Sequence, residues 1–162
     1  MAVDEAKARL VAGLRGEGAH LTLEEAVRDF PRELMNERPP HVPYSFHHQL
    51  EHIRIAQEDL LLYASKPGHV SPAWPDDYWP AHDATVDRDG WNRTVAAIQS
   101  DRERFIEFIE SPECDLFAPA EHMGGRTVYR AALLAIDHTA YHLGEFVMGR
   151  QMLGHWRSEL ER

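Results

Sequence analysis

A chain of 162 residues, 43% apolar and 27% charged, is long enough for one globular core and short for two, so residues 1–162 are read as a single domain. The formal net charge of −10 opposes binding to phosphate backbones, whose affinity comes largely from Lys and Arg contacts that release counterions, so no nucleic-acid partner is expected. No apolar run approaches the roughly 18 residues of a membrane span, and the first residues lack the apolar stretch of a secretory signal, so a cytoplasmic protein with no membrane partner is expected. The only cysteine, Cys114, can form neither an intramolecular disulfide nor a cysteine-based zinc site. It reads as a free thiol in a loop, and any metal must use other ligands.

Ala6, Leu10, Val11 and Leu14 recur at helical spacing, which predicts a first helix over about 3–15, stopped by glycines. Thr22 with Glu25 three residues on is a capping-box pattern, while Pro31 interrupts the helix it opens and Pro39–Pro40 ends it, giving a kinked or two-part segment. Ser45 is an N-cap for a long helix with Phe46, Leu50, Ile53, Leu60, Leu61 and Ala64 on one face, closed by Pro67–Gly68. Residues 65–90 hold four prolines and several aromatic residues without a period and read as a loop. Loops of this length inside a compact domain are often covers or binding elements. Trp91, Val95, Ile98, Arg102, Phe105 and Ile109 predict a further long helix that stops before Pro112. Thr127 caps a last one, with Val128, Ala131, Ala135, Phe146, Gly149 and Leu153 on one stripe. With no strand-like alternation, the pattern predicts an all-α four-helix bundle, antiparallel or with a crossover.

The chain carries eleven histidines. His20, His41, His69, His82, His122 and His155 lie near turns or helix ends and read for the most part as solvated. His138 and His142 are four apart and face the apolar stripe of the last helix, so both side chains can converge on one ion. The pattern HHQLEH places His48 and His52 at the same spacing on the second long helix, with His47 beside them. Helical period alone does not choose between His48 and His52 as the third ligand. Three imidazoles around Zn²⁺, Ni²⁺ or Fe²⁺ leave positions for water and substrate, the mark of an open site. Candidates to orient such ligands are Glu51, Asp59, Asp137 and Glu145. Tyr63, Tyr141 and Arg150 are candidates to line a cavity.

The motif PYSFHHQLEHIRIAQEDLL, followed at long range by DHTAYHLGEFVMGRQMLG, resembles the DinB-like superfamily, the DinB/YfiT-like bacterial metalloenzymes. The similarity covers nearly the whole chain and rests chiefly on the histidine of LEHIRIAQ, the later H-x-x-x-H and the glycine two residues on. The resemblance implies a four-helix bundle of the DinB/YfiT-like type and one divalent metal ion held by His52, His138 and His142. His48 then reads as a neighbour of the site and His47 as a surface residue. Glu145 stands where similar proteins more often carry glutamine. The resemblance further implies a homodimer acting on a small-molecule substrate, with a metal-bound low-molecular-weight thiol, such as bacillithiol or mycothiol, activated as thiolate in a transferase reaction. Competing expectations are a metal-dependent hydrolase, a non-catalytic stress-related protein binding metal or a small ligand, and histidines that are only satisfied core residues.

Overall fold

Side-chain caps start four of the five helices of the computed structural model, which describes residues 2–156 and so leaves both ends of the expected 1–162 domain outside it. Helix α1 spans Ala2–Leu14. The short α2, Leu23–Val27, opens with the reciprocal capping box of Thr22 and Glu25, and a 3₁₀ turn at Arg32–Leu34 follows Pro31, so the segment is two-part as its prolines predict. Helix α3, Phe46–Ser65, is capped by Ser45, whose side chain accepts from the His48 amide. Helix α4, Arg88–Glu110, is capped by Asp87, which accepts from the Gly90 amide at 2.7 Å. Helix α5, Val128–Met152, is capped by Thr127, which accepts from the Arg130 amide at 3.2 Å. Among the described residues no strand forms beyond one isolated bridge between Ala120 and Arg126.

The predicted loop over 65–90 is shorter than expected at its far end. Asp87 satisfies an orphan amide of the first turn, so α4 absorbs residues 88–90, and a 3₁₀ turn forms at Asp76–Tyr78.

Helices α1, α3, α4 and α5 make the bundle, with α3 packed against both α4 and α5 and α1 against the same two. Cross-helix bonds set the directions. The Thr94 hydroxyl donates to Glu51, and Gln57 Nε2 donates to the Ile98 carbonyl at 2.6 Å, so α3 and α4 run the same way. Gln49 reaches Glu145 while His52 meets His138 and His142, so α5 runs against α3. Of the two arrangements the sequence allowed, the bundle therefore has the crossover. A parallel α3–α4 pair obliges residues 66–87 to return along the length of the bundle, and this long segment passes over α3.

Two apolar clusters fill the interior. One joins Leu10, Leu61, Phe105, Ile109, Leu116 and Ala132; the other joins Met35, Leu50, Ile98 and an aromatic group of Phe30, Phe46, Trp91 and Phe146. Phe30 stacks on Trp91 at 4.6 Å between ring centres, and Phe46 meets Phe146 edge-on at 5.1 Å. Along α5, His138 and His142 fall between Ala135, which belongs to the first cluster, and Leu143, which belongs to the second. No helix among the described residues is long and apolar enough to cross a membrane.

Candidate metal centre

His52 comes from the middle of α3, and His138 and His142 come from consecutive turns of α5. Their ring nitrogens converge: His52 Nε2 lies 3.1 Å from His142 Nε2 and 3.0 Å from His138 Nε2. His52 is 1% exposed and His142 8%, while His138 is half-buried. One ligand atom from each falls within 4.8 Å of the others, a grouping that could hold a metal ion.

Hydrogen bonds on the far side of two rings determine what these nitrogens offer. His52 Nδ1 faces the Tyr78 carbonyl at 2.8 Å, and His142 Nδ1 faces Glu145 Oε2 at 2.8 Å. Both partners only accept, so each Nδ1 carries the proton, and in the neutral rings each Nε2 presents a lone pair. Two lone pairs 3.1 Å apart repel. His138 can bring a proton on Nε2, but one proton cannot serve both nitrogens. A cation at the convergence point satisfies all three. Bonds of 2.0–2.1 Å to a tetrahedral ion separate its ligands by about 3.3 Å, a few tenths more than the spacing here. The donor set therefore fits a divalent cation that prefers imidazole.

Electrostatics point the same way. Burial pushes His52 below its ordinary value by more than the bond to Tyr78 restores, and the His142 ring lowers it further. Burial, with His142 and His52 beside it, pushes His138 down to about 4. Neutral imidazole is the form a metal ion requires. Burial alone would raise the Glu145 carboxyl, but bonds from His142, Tyr141 and Tyr44 outweigh it and hold the group below its ordinary value. Glu145 Oε2 also accepts from Tyr44 and from Gln49, each at 3.2 Å.

The wall of the site comes from the crossover. Trp79 lies flat on His52 at 3.8 Å and 5° between planes, and its ring also stacks on Tyr44 at 4.9 Å. Tyr141, 64% exposed, meets the His142 ring edge-on at 4.9 Å on the solvent side. The sequence reads the aromatic loop over 65–90 as a cover or binding element but does not single out Trp79 or the Tyr78 carbonyl within it, and Tyr44 and Gln49 carry no signal there. They reach the site from irregular segments or through a cross-helix bond that helical period does not encode.

The other candidates separate clearly. His48 is buried and points away from the triad, its Nδ1 accepting from Ser45 Oγ at 2.6 Å and its Nε2 donating to the Ala81 carbonyl at 3.0 Å, which fastens the crossover to the first turn of α3. His47 is not at the surface: it is 8% exposed, because the 35–43 segment folds over the start of α3 and the His47 amide bonds the Met35 carbonyl at 2.8 Å. His69 is not simply solvated, since it pairs with Asp59 at 2.7 Å. Of the acidic candidates, Glu145 contacts a site histidine directly, Glu51 bonds Arg54 and Thr94 instead, and Asp137 is exposed. Tyr63 donates to the Met123 carbonyl at 2.6 Å, away from the site. Arg150 is 5% exposed and satisfies the carbonyls of Ala26 at 2.6 Å and Arg28 at 3.2 Å, closing the C-terminal end of α2. Cys114 is buried, and burial raises its thiol.

This three-histidine cluster on two facing bundle helices coincides with a match of residues 17–146 to the family model of the DinB superfamily. The chain belongs to the DinB superfamily. No curated protein and no solved structure matches it. The helical bundle and the grouped histidines agree with that membership, and the match spans His52, His138 and His142 together.

Proposed function

We propose that this DinB-superfamily chain is a metal-dependent enzyme in which Nε2 of His52, His138 and His142 hold one divalent ion, zinc, nickel or iron. The observation that carries the metal is the pair of facing Nε2 lone pairs, each created by an Nδ1–H given away to an acceptor. The reaction we favour is transfer to or from a low-molecular-weight thiol, because a bound divalent ion lowers the pKa of a coordinated thiol and supplies thiolate at neutral pH. The thiol is supported by the family resemblance, and the three-ligand set supports it by leaving coordination positions for a small molecule.

The chain's own residues have defined tasks in this reading. Glu145 and the Tyr78 carbonyl orient His142 and His52 and keep their Nε2 lone pairs aimed inward. Trp79 covers the His52 face and shields it from water on that side, and the exposed Tyr141 borders His142 toward solvent. Elemental analysis tests the reading: the parent should hold close to one equivalent of metal after reloading, and His52→Ala, His138→Ala and His142→Ala should each lose it while staying helical. Turnover of electrophiles with small thiols by the loaded parent alone would then support the transferase. Metal without turnover would favour a non-catalytic binding protein, and a parent without metal would end the reading.

A further inference from the structure

Asp59 follows His52 by seven residues on α3, so the two share a face about 10 Å apart along the helix axis. Tyr78 spans that interval. Its hydroxyl donates to Asp59 Oδ2 at 2.6 Å, and its own backbone carbonyl accepts the His52 Nδ1 proton at 2.8 Å. Asp59 is 8% exposed, and neither of its hydrogen bonds goes to a histidine of the triad. Its other oxygen, Oδ1, takes His69 Nε2 at 2.7 Å. Burying a carboxylate on a bundle helix is costly unless its oxygens are bonded, and here both bonds go to the crossover rather than to another helix.

We propose that Asp59 is a positioning residue for His52, acting through Tyr78: the carboxylate fixes the tyrosine side chain, which places the Tyr78 carbonyl where only the Nδ1–H tautomer of His52 can meet it. The geometry supports this over simple fastening of the loop in two ways. First, one residue carries both bonds, so the side chain and carbonyl of Tyr78 cannot move independently by much. Second, the residue that follows, Trp79, lies flat on the same imidazole at 3.8 Å, so the relay that sets the ring's tautomer also sets its cover. With Tyr78 displaced, His52 Nδ1–H would lose its acceptor, and the tautomer with a proton on Nε2, which cannot coordinate, would become available. The consequence for metal rests on the reading of the triad above; the tautomer itself does not.

The test uses Tyr78→Phe, Asp59→Asn, the double variant and His69→Gln in the full chain. Nitrogen-15 spectra of histidine-labelled, metal-free protein read the tautomer directly. The parent should show His52 as a single Nδ1–H species, and Tyr78→Phe, which removes one oxygen and preserves the ring, should show a mixture. Zinc affinity by chelator competition should fall about tenfold in Tyr78→Phe and in Asp59→Asn, the lower end of the range for groups that orient ligands. The double variant should be no weaker than the worse single, because both break one relay. His69→Gln, which frees the other carboxylate oxygen and leaves the relay intact, should stay within about twofold of the parent. An unchanged His52 tautomer in Tyr78→Phe would overturn the proposal, as would a loss in His69→Gln equal to that in Tyr78→Phe. A parent that binds no zinc would instead refute the proposed function, and the metal-free spectra would still decide the relay.

Discussion

Glu145 shows how one side chain combines tasks that look unrelated in the sequence. Its Oε2 accepts from His142 on its own helix, from Gln49 on α3 and from Tyr44 just before α3, so it ties both ligand-bearing helices to the orientation of one imidazole. Groups that orient a metal-bound histidine are worth roughly 10- to 100-fold in affinity, so Glu145→Ala should weaken zinc binding by about that factor. Glu145→Gln retains a carbonyl oxygen that can still accept from His142 Nδ1 and should recover most of the loss. Chelator competition measures both, and equal affinity in Glu145→Ala and the parent would remove Glu145 from the site. The glutamate position was open in the sequence because His-x-x-Glu spacing also describes an exposed helical pair, and only the bond to His142 separates the two.

At the scale of the helix, α5 carries two glycines that should respond oppositely to the same change. A Cβ on Gly149 would lie 3.0 Å from Pro39 and 3.1 Å from the Phe46 ring, both rigid groups packed on α5. A Cβ on Gly144 would meet nothing within 4 Å. Replacing a mid-helix glycine by alanine gains about 1 kcal/mol of propensity, whereas overpacking costs about 1–3 kcal/mol. Gly144→Ala should therefore stabilise the protein by about 0.5–1 kcal/mol, and Gly149→Ala should destabilise it by about 1 kcal/mol. Urea unfolding of metal-free protein would show the midpoints moving in opposite directions, and a shared direction would contradict this packing. Gly149 falls on the apolar stripe and meets the start of α3, whereas Gly144 is exposed on the opposite side of the helix and meets solvent.

For the whole molecule, neutral imidazoles held inside the fold make stability depend on pH. His138 is pushed from 6.5 to about 4, and burial also lowers His47 and His52. The unfolded chain then binds more protons than the folded one below 6.5, so the histidine contribution is fully present above 6.5 and is lost as pH falls toward about 4. The metal-free protein should lose stability progressively across that window. An ion that binds only the folded state adds about 2.7 kcal/mol at a hundred times its dissociation constant, and because protons compete for the same nitrogens that gain should shrink over the same interval. Thermal unfolding of both forms between pH 7.5 and 4.5, ranges set by the shifts above, would test this. A flat profile for the metal-free protein below 6.5 would mean that the histidines are not held neutral.

The helices, their caps at Thr22, Ser45 and Thr127, and the inward aim of His138 and His142 were legible in the chain because they depend on residues within one or two turns of each other. The choice of His52 over His48 required the family resemblance, since period places both near the same face. Its geometric reason appears only in three dimensions, where His48 turns to Ser45 and Ala81 while His52 meets α5. The direction of α4, the path of the crossover, the Trp79 cover and the burial of His47 were equally hidden. Each is decided by contacts between segments far apart in the chain, made once the helices pack, and local propensity contains no term for them.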